Sequence, residues 1–129
     1  MTLIDTSAWI EFFRRKGDPL FKNRVFEIIG GDKAAYTCPI RFELVLGARP
    51  EEMADVLNGL DFTKRIFLTP DHWDHAASLG SELHSRGVRI PASDLLIAIV
   101  ARDADIPLLT KDRHFNLLQE KFLPDLKLS

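Results

Sequence analysis

The sequence predicts an α/β domain in which a short parallel sheet is covered on both faces by helices. Short apolar runs of strand length alternate with longer segments of helical periodicity. This alternating order is typical of parallel strands joined by crossover helices. The length of 129 residues suits one domain with a proper core and is too short for two, so residues 1–129 are predicted to form a single domain.

The strands are predicted from four short apolar runs bounded by polar or turn-forming residues. They are Thr2–Ile4, Ala35–Cys38, Arg65–Leu68 and Pro107–Thr110. Leu126–Leu128 is a candidate for a fifth strand at an edge of the sheet. We therefore expect a short central parallel sheet of four to five strands.

Seven segments with helical periodicity separate and follow these strands. They are Thr6–Phe13, Leu20–Ile29, Pro39 to about Ala48, Glu51–Leu60, a long helix capped by Thr69 or Asp71 and ended by Arg86-Gly87, Asp94 to about Asp105, and Asp112–Phe122. In the long helix, Trp73, Ala76 and Leu83 belong to an apolar stripe. The helix that begins at Asp94 is apolar on most sides, so we expect it to be largely buried.

Composition and charge restrict the classes of function. Hydrophobic residues make up 46% and charged residues 28%, which is typical of a soluble globular protein, and the net charge of −2 argues against binding nucleic acid through a broad cationic surface. Cys38 is the only cysteine, so neither an intrachain disulfide nor a cysteine-rich zinc site is expected. An acid at position 5 precedes any signal-peptide core, and the longest apolar run, Leu95–Ala101, is too short to span a bilayer. We expect a cytoplasmic protein that is not bound to a membrane.

Four acidic residues stand at related positions of the predicted fold. Asp5 ends the first strand, and Asp112 follows the fourth strand by two residues. Glu43 lies one turn into the helix after the second strand, and Asp94 opens the buried helix. Because the segments that follow parallel strands gather at one edge of the sheet, where ligands bind, we expect these acids to converge in one site.

The surroundings of Glu43 and Asp94 favour a metal at this site. Each projects from apolar neighbours, and a buried carboxylate needs a cation, a metal or a proton. Hard oxygen ligands suit Mg²⁺ or Mn²⁺, and a set of carboxylates is typical of metal-assisted phosphodiester hydrolysis. Two alternatives stay open: Asp5, Asp94 and Asp112 could each cap a helix, and Glu43 could pair with an arginine such as Arg41.

Other polar side chains next to these acids are candidates for supporting roles, in which they would orient a carboxylate or water. They are Thr6, Ser7, Thr110 and Asn116. Lys111, Arg113 and His114 form a basic run that is either a solvated surface or a rim that grips phosphate. His72 and His75 share a helix, where we expect a solvated face rather than a metal site.

Four segments around these acids resemble the motifs of the PIN-domain family, and more closely those of the VapC toxins of VapBC toxin–antitoxin pairs. They are Leu3–Ile10, Arg41–Ala48, Pro91–Ala98 and Leu109–Phe115. The first is an apolar strand that runs into Asp-Thr-Ser, and the second is a helix with Glu-Leu followed by a small residue. The segments occur in the family's order, cover essentially the whole chain and keep an acid at each expected position.

The resemblance implies a three-layer α/β/α PIN-like domain that acts as a Mg²⁺- or Mn²⁺-dependent endoribonuclease. It implies that the chain is the toxin of a type II toxin–antitoxin system, forms a homodimer and is inhibited by a VapB-like antitoxin. The site acids would then serve as metal ligands and catalytic groups in hydrolysis of RNA phosphodiester bonds. They are Asp5, Glu43, Asp94 and Asp112.

Two other classes of function stay open. The first is a non-catalytic RNA-binding PIN module. The second, less favoured, is a phosphoacceptor domain of the receiver type, which shares the length and the alternating order of elements. Receivers have an acidic pair after the first strand and a Lys-Pro pair later, whereas here Asp5 stands alone and Lys111 precedes Asp112.

Overall fold

The predicted α/β class is confirmed by the computed structural model, which describes all residues from 1 to 129. The strands are β1 (Thr2–Ile4), β2 (Ala34–Thr37), β3 (Lys64–Ile66) and β4 (Leu108–Leu109). The helices are α1 (Thr6–Phe13), α2 (Pro19–Gly30), α3 (Cys38–Gly47), α4 (Met53–Asp61), α5 (Pro70–Ser85), α6 (Ala92–Asp103) and α7 (His114–Lys121). Helices and strands alternate in the predicted order, with ends that differ by up to two residues.

The four strands form one parallel sheet in the order β3-β2-β1-β4. Strand β1 is central, with Leu3 paired to Ala35 on one side and to Leu108 on the other. Because β4 lies beside β1, the first and last strands of the chain end at the same edge of the sheet. The segments after β1 and β4 are therefore neighbours, although a hundred residues separate them in the sequence.

Helix ends follow from short polar side chains and prolines. The Asp18 carboxylate accepts a hydrogen bond from the amide of Leu20, and Pro19 occupies the first turn of α2. Thr69 and His72 form a reciprocal capping box at the start of α5, which confirms Thr69 rather than Asp71 as the cap. These bonds satisfy amide groups that a helix leaves free at its start.

Helix α6 lies at the centre of the packing, as its composition predicted. Residues 94–101 are all buried, so the helix presents no open face to solvent. It packs against α5, α3 and α7, while α1 packs against α2 and α3. Asp94 is the one charged residue in the buried stretch, so the fold holds a carboxylate in an apolar helix.

Two details differ from the sequence prediction. Residues 126–128 do not form a strand; Leu128 makes a single isolated bridge to Leu108. The apolar stripe of α5 is only partly buried, because Ala76 and Leu83 enter the core whereas Trp73 is 56% exposed. In neither case does periodicity reveal whether another element covers the apolar residues. No helix combines the length and the apolar character that a membrane crossing requires.

Candidate metal centre

The candidate site lies where β1 and β4 end, beside the first turns of α6 and α7. Asp5 directly follows β1, and its amide donates to the carbonyl of Leu109 in β4. Thr110 and Asp112 follow β4, and Asp94 is the third residue of α6. The topology thus gathers three of the predicted acids at one edge of the sheet, as the sequence led us to expect.

Asp5 is held by two hydroxyl groups from opposite ends of the chain. Its Oδ2 accepts from Ser7 Oγ at 2.7 Å and from Thr110 Oγ1 at 2.8 Å. Both hydroxyls bind the same oxygen, and no side chain donates a hydrogen bond to the other oxygen, Oδ1. The residue is only 3% exposed, and burial raises the pKa of its carboxyl although these hydrogen bonds act in the opposite direction. Ser7 and Thr110 therefore have the supporting positions that the sequence suggested.

Thr110 connects two of the acids. Besides donating to Asp5, its Oγ1 accepts from the amide of Asp112 at 3.0 Å. The hydroxyls of Ser7 and Thr110 lie 3.2 Å apart, and Ser7 Oγ also accepts from the amide of Lys111. This network fixes the segment after β4 against the start of α1.

His114 bridges the other two acids at the start of α7. Its Nδ1 lies 2.9 Å from Asp94 Oδ2 and 3.3 Å from Asp112 Oδ1, and its amide donates to Asp112 Oδ1. One donor atom from each of Asp94, Asp112 and His114 falls within 4.8 Å of the others, which is compatible with a shared metal ion. Sequence reasoning assigned His114 to a basic run and missed this contact. Its position two residues after Asp112 was the available signal.

Glu43 occupies the opposite side of the site, on α3. Its Oε1 accepts from Thr6 Oγ1 at 2.9 Å, and Ser93 Oγ lies 3.5 Å from its Oε2. Thr6 adjoins Asp5 and Ser93 adjoins Asp94, so both hydroxyls bring Glu43 toward the other acids. The glutamate is half-buried and forms no salt bridge, which excludes the alternative of a pair with Arg41. Ser93 is a second contact that the sequence did not predict.

Burial and nearby negative charge both act on Asp94. Burial, reinforced by the charges of Asp5 and Asp112, raises the pKa of Asp94 to about 6, although the His114 hydrogen bond acts in the opposite direction. The hydrogen bond to Asp94 raises the pKa of His114. The protein therefore concentrates negative charge in a place where a cation is stabilising.

The helix-cap alternative applies to only part of the set. Asp5 caps α1, because its carboxylate accepts from the amide of Ser7 at 3.4 Å, and Asp112 accepts from the first amide of α7. Asp94 lies inside the first turn of α6 and makes no capping bond. Capping thus does not account for the most buried helix acid in the cluster.

Three predicted groups lie outside the cluster. Asn116 is exposed and makes no side-chain hydrogen bond. Lys111 points away to Glu11, at 3.1 Å, so this part of the basic run is ion-paired rather than free to grip phosphate. Asp103 is the only acid near His72 and His75, at 3.9 and 3.8 Å, and neither histidine belongs to a metal-ligand group.

The fold and site define an α/β protein with an acidic centre at the carboxyl edge of a parallel sheet. The family model for the PIN domain matches residues 2–121. The chain therefore belongs to the PIN-domain family, and the match extends from β1 through α7, including every site residue described above. Because the chain belongs to the PIN-domain family, nothing supports the alternative of a receiver-type phosphoacceptor domain.

Solved structures give the same fold. A chain of the DNA-bound VapBC from Salmonella typhimurium is 17% identical, with a TM-score of 0.77 over 99% of this chain and 96% of that one. A chain of VapBC2 from Rickettsia felis, bound to a promoter DNA fragment, is 19% identical, with a TM-score of 0.74 over 99% and 96%. A chain of VapBC-5 from Mycobacterium tuberculosis is 24% identical, with a TM-score of 0.66 over 98% and 95%. Comparison with curated protein sequences found no match.

The donor set fits a hard divalent cation. Asp5 Oδ1 receives no side-chain hydrogen bond, and Asp94 and Asp112 place carboxylate oxygens next to the same ring nitrogen of His114. Glu43 lies beside this group through its contacts with Thr6 and Ser93, but neither Glu43 nor Asp5 is among the atoms that fall within 4.8 Å of one another. Such oxygen-rich sites suit Mg²⁺ or Mn²⁺.

Proposed function

We propose that this protein is a metal-dependent endoribonuclease that hydrolyses RNA phosphodiester bonds, and that it is the toxin of a type II toxin–antitoxin system. The observation that supports the activity most directly is the convergence of Asp5, Asp94 and Asp112 at the ends of β1 and β4, with Glu43 opposite. Asp5 lies near the start of the sequence, and Asp94 and Asp112 lie in its last third, so residues far apart in the chain meet at this site.

Asp5 and Asp94 would be the principal ligands of Mg²⁺ or Mn²⁺, with Asp112 and Glu43 completing the set directly or through water. When bound, such an ion lowers the pKa of a water ligand and offsets charge that develops on the phosphate. Ser7 and Thr110 hold Asp5 Oδ2 and so orient Oδ1. Thr6 and Ser93 orient Glu43. In the reaction, water adds to phosphorus, the phosphorus–oxygen bond to the leaving group breaks, and the leaving oxygen takes a proton.

A toxin of this kind would bind partner proteins, and exposed apolar residues support such binding. Phe42 and Leu46, on the outer face of α3, are 66% and 73% exposed, and Trp73 of α5 is also exposed. Large exposed apolar side chains are typical of surfaces that bind other proteins. The similar structures are VapBC complexes, so we propose a VapB-like antitoxin and a homodimer as partners, both in the cytoplasm.

A cleavage assay with a paired variant tests the activity. The purified wild type is incubated with RNA and Mg²⁺ or Mn²⁺, and in parallel with RNA and EDTA. The Asp5→Asn variant is incubated with RNA and the same metal ions. We expect cleavage only by the wild type with metal, and a loss of at least about 100-fold in Asp5→Asn. Asp125→Asn is the matched control, because Asp125 is exposed and lies outside the site.

The outcomes separate the two remaining classes. Cleavage that survives both EDTA and Asp5→Asn contradicts the proposal, because it cannot come from the metal site. Tight RNA binding without cleavage, at saturating metal, indicates the non-catalytic RNA-binding module instead. Expression of the wild type and Asp5→Asn in bacteria, followed by sequencing of RNA ends, tests toxicity and identifies the RNA that is cut.

A further inference from the structure

His114 has the position of a metal ligand rather than that of a residue at the rim. It is the first residue of α7, and its backbone amide is bonded to Asp112. This bond fixes the backbone of His114 next to the acid cluster, so the short histidine side chain is enough to bring the imidazole to the acids. The side chain is 44% exposed, so the imidazole lies where an ion from solvent can reach it.

The spacing around Nδ1 matches that of atoms that share one ion. The separations of 2.9 Å to Asp94 Oδ2 and 3.3 Å to Asp112 Oδ1 are close to the distance of about 3 Å between adjacent ligands of an octahedral ion with bonds of about 2.1 Å. The 2.9 Å contact between Nδ1 and Asp94 Oδ2 is a hydrogen bond, so one proton is shared between these two atoms. Coordination would replace that proton with the ion and transfer it to solvent.

We propose that His114 Nδ1 binds the resident ion directly, together with Asp94 and Asp112, and that this nitrogen makes the site prefer Mn²⁺ to Mg²⁺. Mg²⁺ demands oxygen ligands, whereas imidazole is a good ligand for first-row transition ions. His114 Nε2 makes no hydrogen bond, so it can carry the ring proton while Nδ1 offers its lone pair. The inference rests on the proposed function only in treating the acid cluster as the resident metal site.

Pulsed electron paramagnetic resonance on the Mn²⁺-loaded protein provides the direct test. An imidazole nitrogen bound to Mn²⁺ gives a characteristic hyperfine coupling, and an amine-free buffer removes competing nitrogen. We expect this coupling in the wild type and in His84→Ala, which removes an exposed histidine at the end of α5. We expect no coupling in His114→Ala or in His114→Asp, where an oxygen replaces the nitrogen.

Calorimetric titration with Mn²⁺ and Mg²⁺ gives a second readout that does not depend on catalysis. His114→Asp should lower the ratio of Mn²⁺ to Mg²⁺ affinity about tenfold, while His84→Ala leaves it unchanged. Wild-type protein that binds Mn²⁺ without nitrogen coupling, or coupling that persists in His114→Ala, overturns the inference. If the variants do not fold, nitrogen-15 labelling of histidine in the wild type shows whether the coupled nitrogen belongs to a histidine, and His114 is the histidine that lies beside Asp94 and Asp112.

The two proposals fail in different ways. RNA cleavage without a nitrogen coupling leaves the nuclease in place and removes the ligand role of His114. A nitrogen coupling without RNA cleavage keeps the ligand role and removes the nuclease.

Discussion

Replacing Asp94 with asparagine is expected to abolish metal binding and yet stabilise the metal-free fold. Asp94 is 8% exposed, lies in the buried stretch of α6 and is close to two other acids. Asparagine has almost the same shape and still accepts a hydrogen bond from His114, but it carries no charge. The substitution thus removes a repelled, desolvated charge without opening a cavity.

The pKa of Asp94 sets the size of the effect. A rise from 3.8 to about 6 means that the folded state binds the proton more tightly than the unfolded state does. The charged form therefore destabilises the fold, by about 3 kcal/mol at pH 7 from about 1.4 kcal/mol per unit of pKa. The penalty is absent well below pH 4, grows as the pH rises toward about 6, and is constant above that. Near pH 5 it is about half its full size.

Urea unfolding in EDTA at several pH values measures this penalty. Asp94→Asn should exceed the wild type by about 2 to 3 kcal/mol at pH 7, and the difference should shrink steadily toward pH 4. Asp125→Asn, an exposed acid outside the site, should stay within about 0.5 kcal/mol of the wild type throughout. Adding Mn²⁺ should stabilise the wild type and not Asp94→Asn. A variant that is less stable than the wild type at pH 7, or a difference that ignores pH, refutes the reasoning.

Two further substitutions test the support of Asp5 and the close packing of Gly17. Thr110→Val removes the hydroxyl that donates to Asp5, so calorimetry should show that the affinity for Mn²⁺ falls about tenfold. Thr110→Ser keeps a hydroxyl and should restore the affinity. An unchanged affinity in Thr110→Val would contradict a supporting role for Thr110. Gly17→Ala places a Cβ 1.8 Å from the Glu11 carbonyl oxygen, so urea unfolding should show a loss of about 1 to 3 kcal/mol. Gly30→Ala, where nothing lies within 4 Å, is the control and should not destabilise, and equal stability of both variants would contradict the steric argument.

Much of the fold and the convergence of the acids could be predicted, because both depend on local patterns and on a general rule of topology. Apolar runs and turn residues reveal strands and helices, and parallel strands bring their carboxyl ends to one edge. This rule alone is enough to predict that Asp5 and Asp112 lie close together. The burial of Asp94 followed from the apolar residues around it in α6.

What could not be predicted depends on how elements pack in three dimensions. The contact of His114 with Asp94 joins residues twenty positions apart, and it depends on how α7 is rotated against α6. Glu43 finds hydroxyl groups of α1 and α6 rather than a neighbouring arginine, which helix periodicity cannot reveal. Leu128 reaches the sheet at one bridge only, because pairing of an edge strand depends on the path of the final loop.

The pairing of β1 with β4 also has a consequence for folding during synthesis on the ribosome. Strand β1 is made first, but the strand that flanks it and the Thr110 hydroxyl that fixes Asp5 come from the last fifth of the sequence. A nascent chain that has reached only residue 105 contains three of the four acids and lacks β4 to orient them. The acid cluster therefore cannot be completed until synthesis is almost finished, and a prematurely terminated chain would contain no intact cluster.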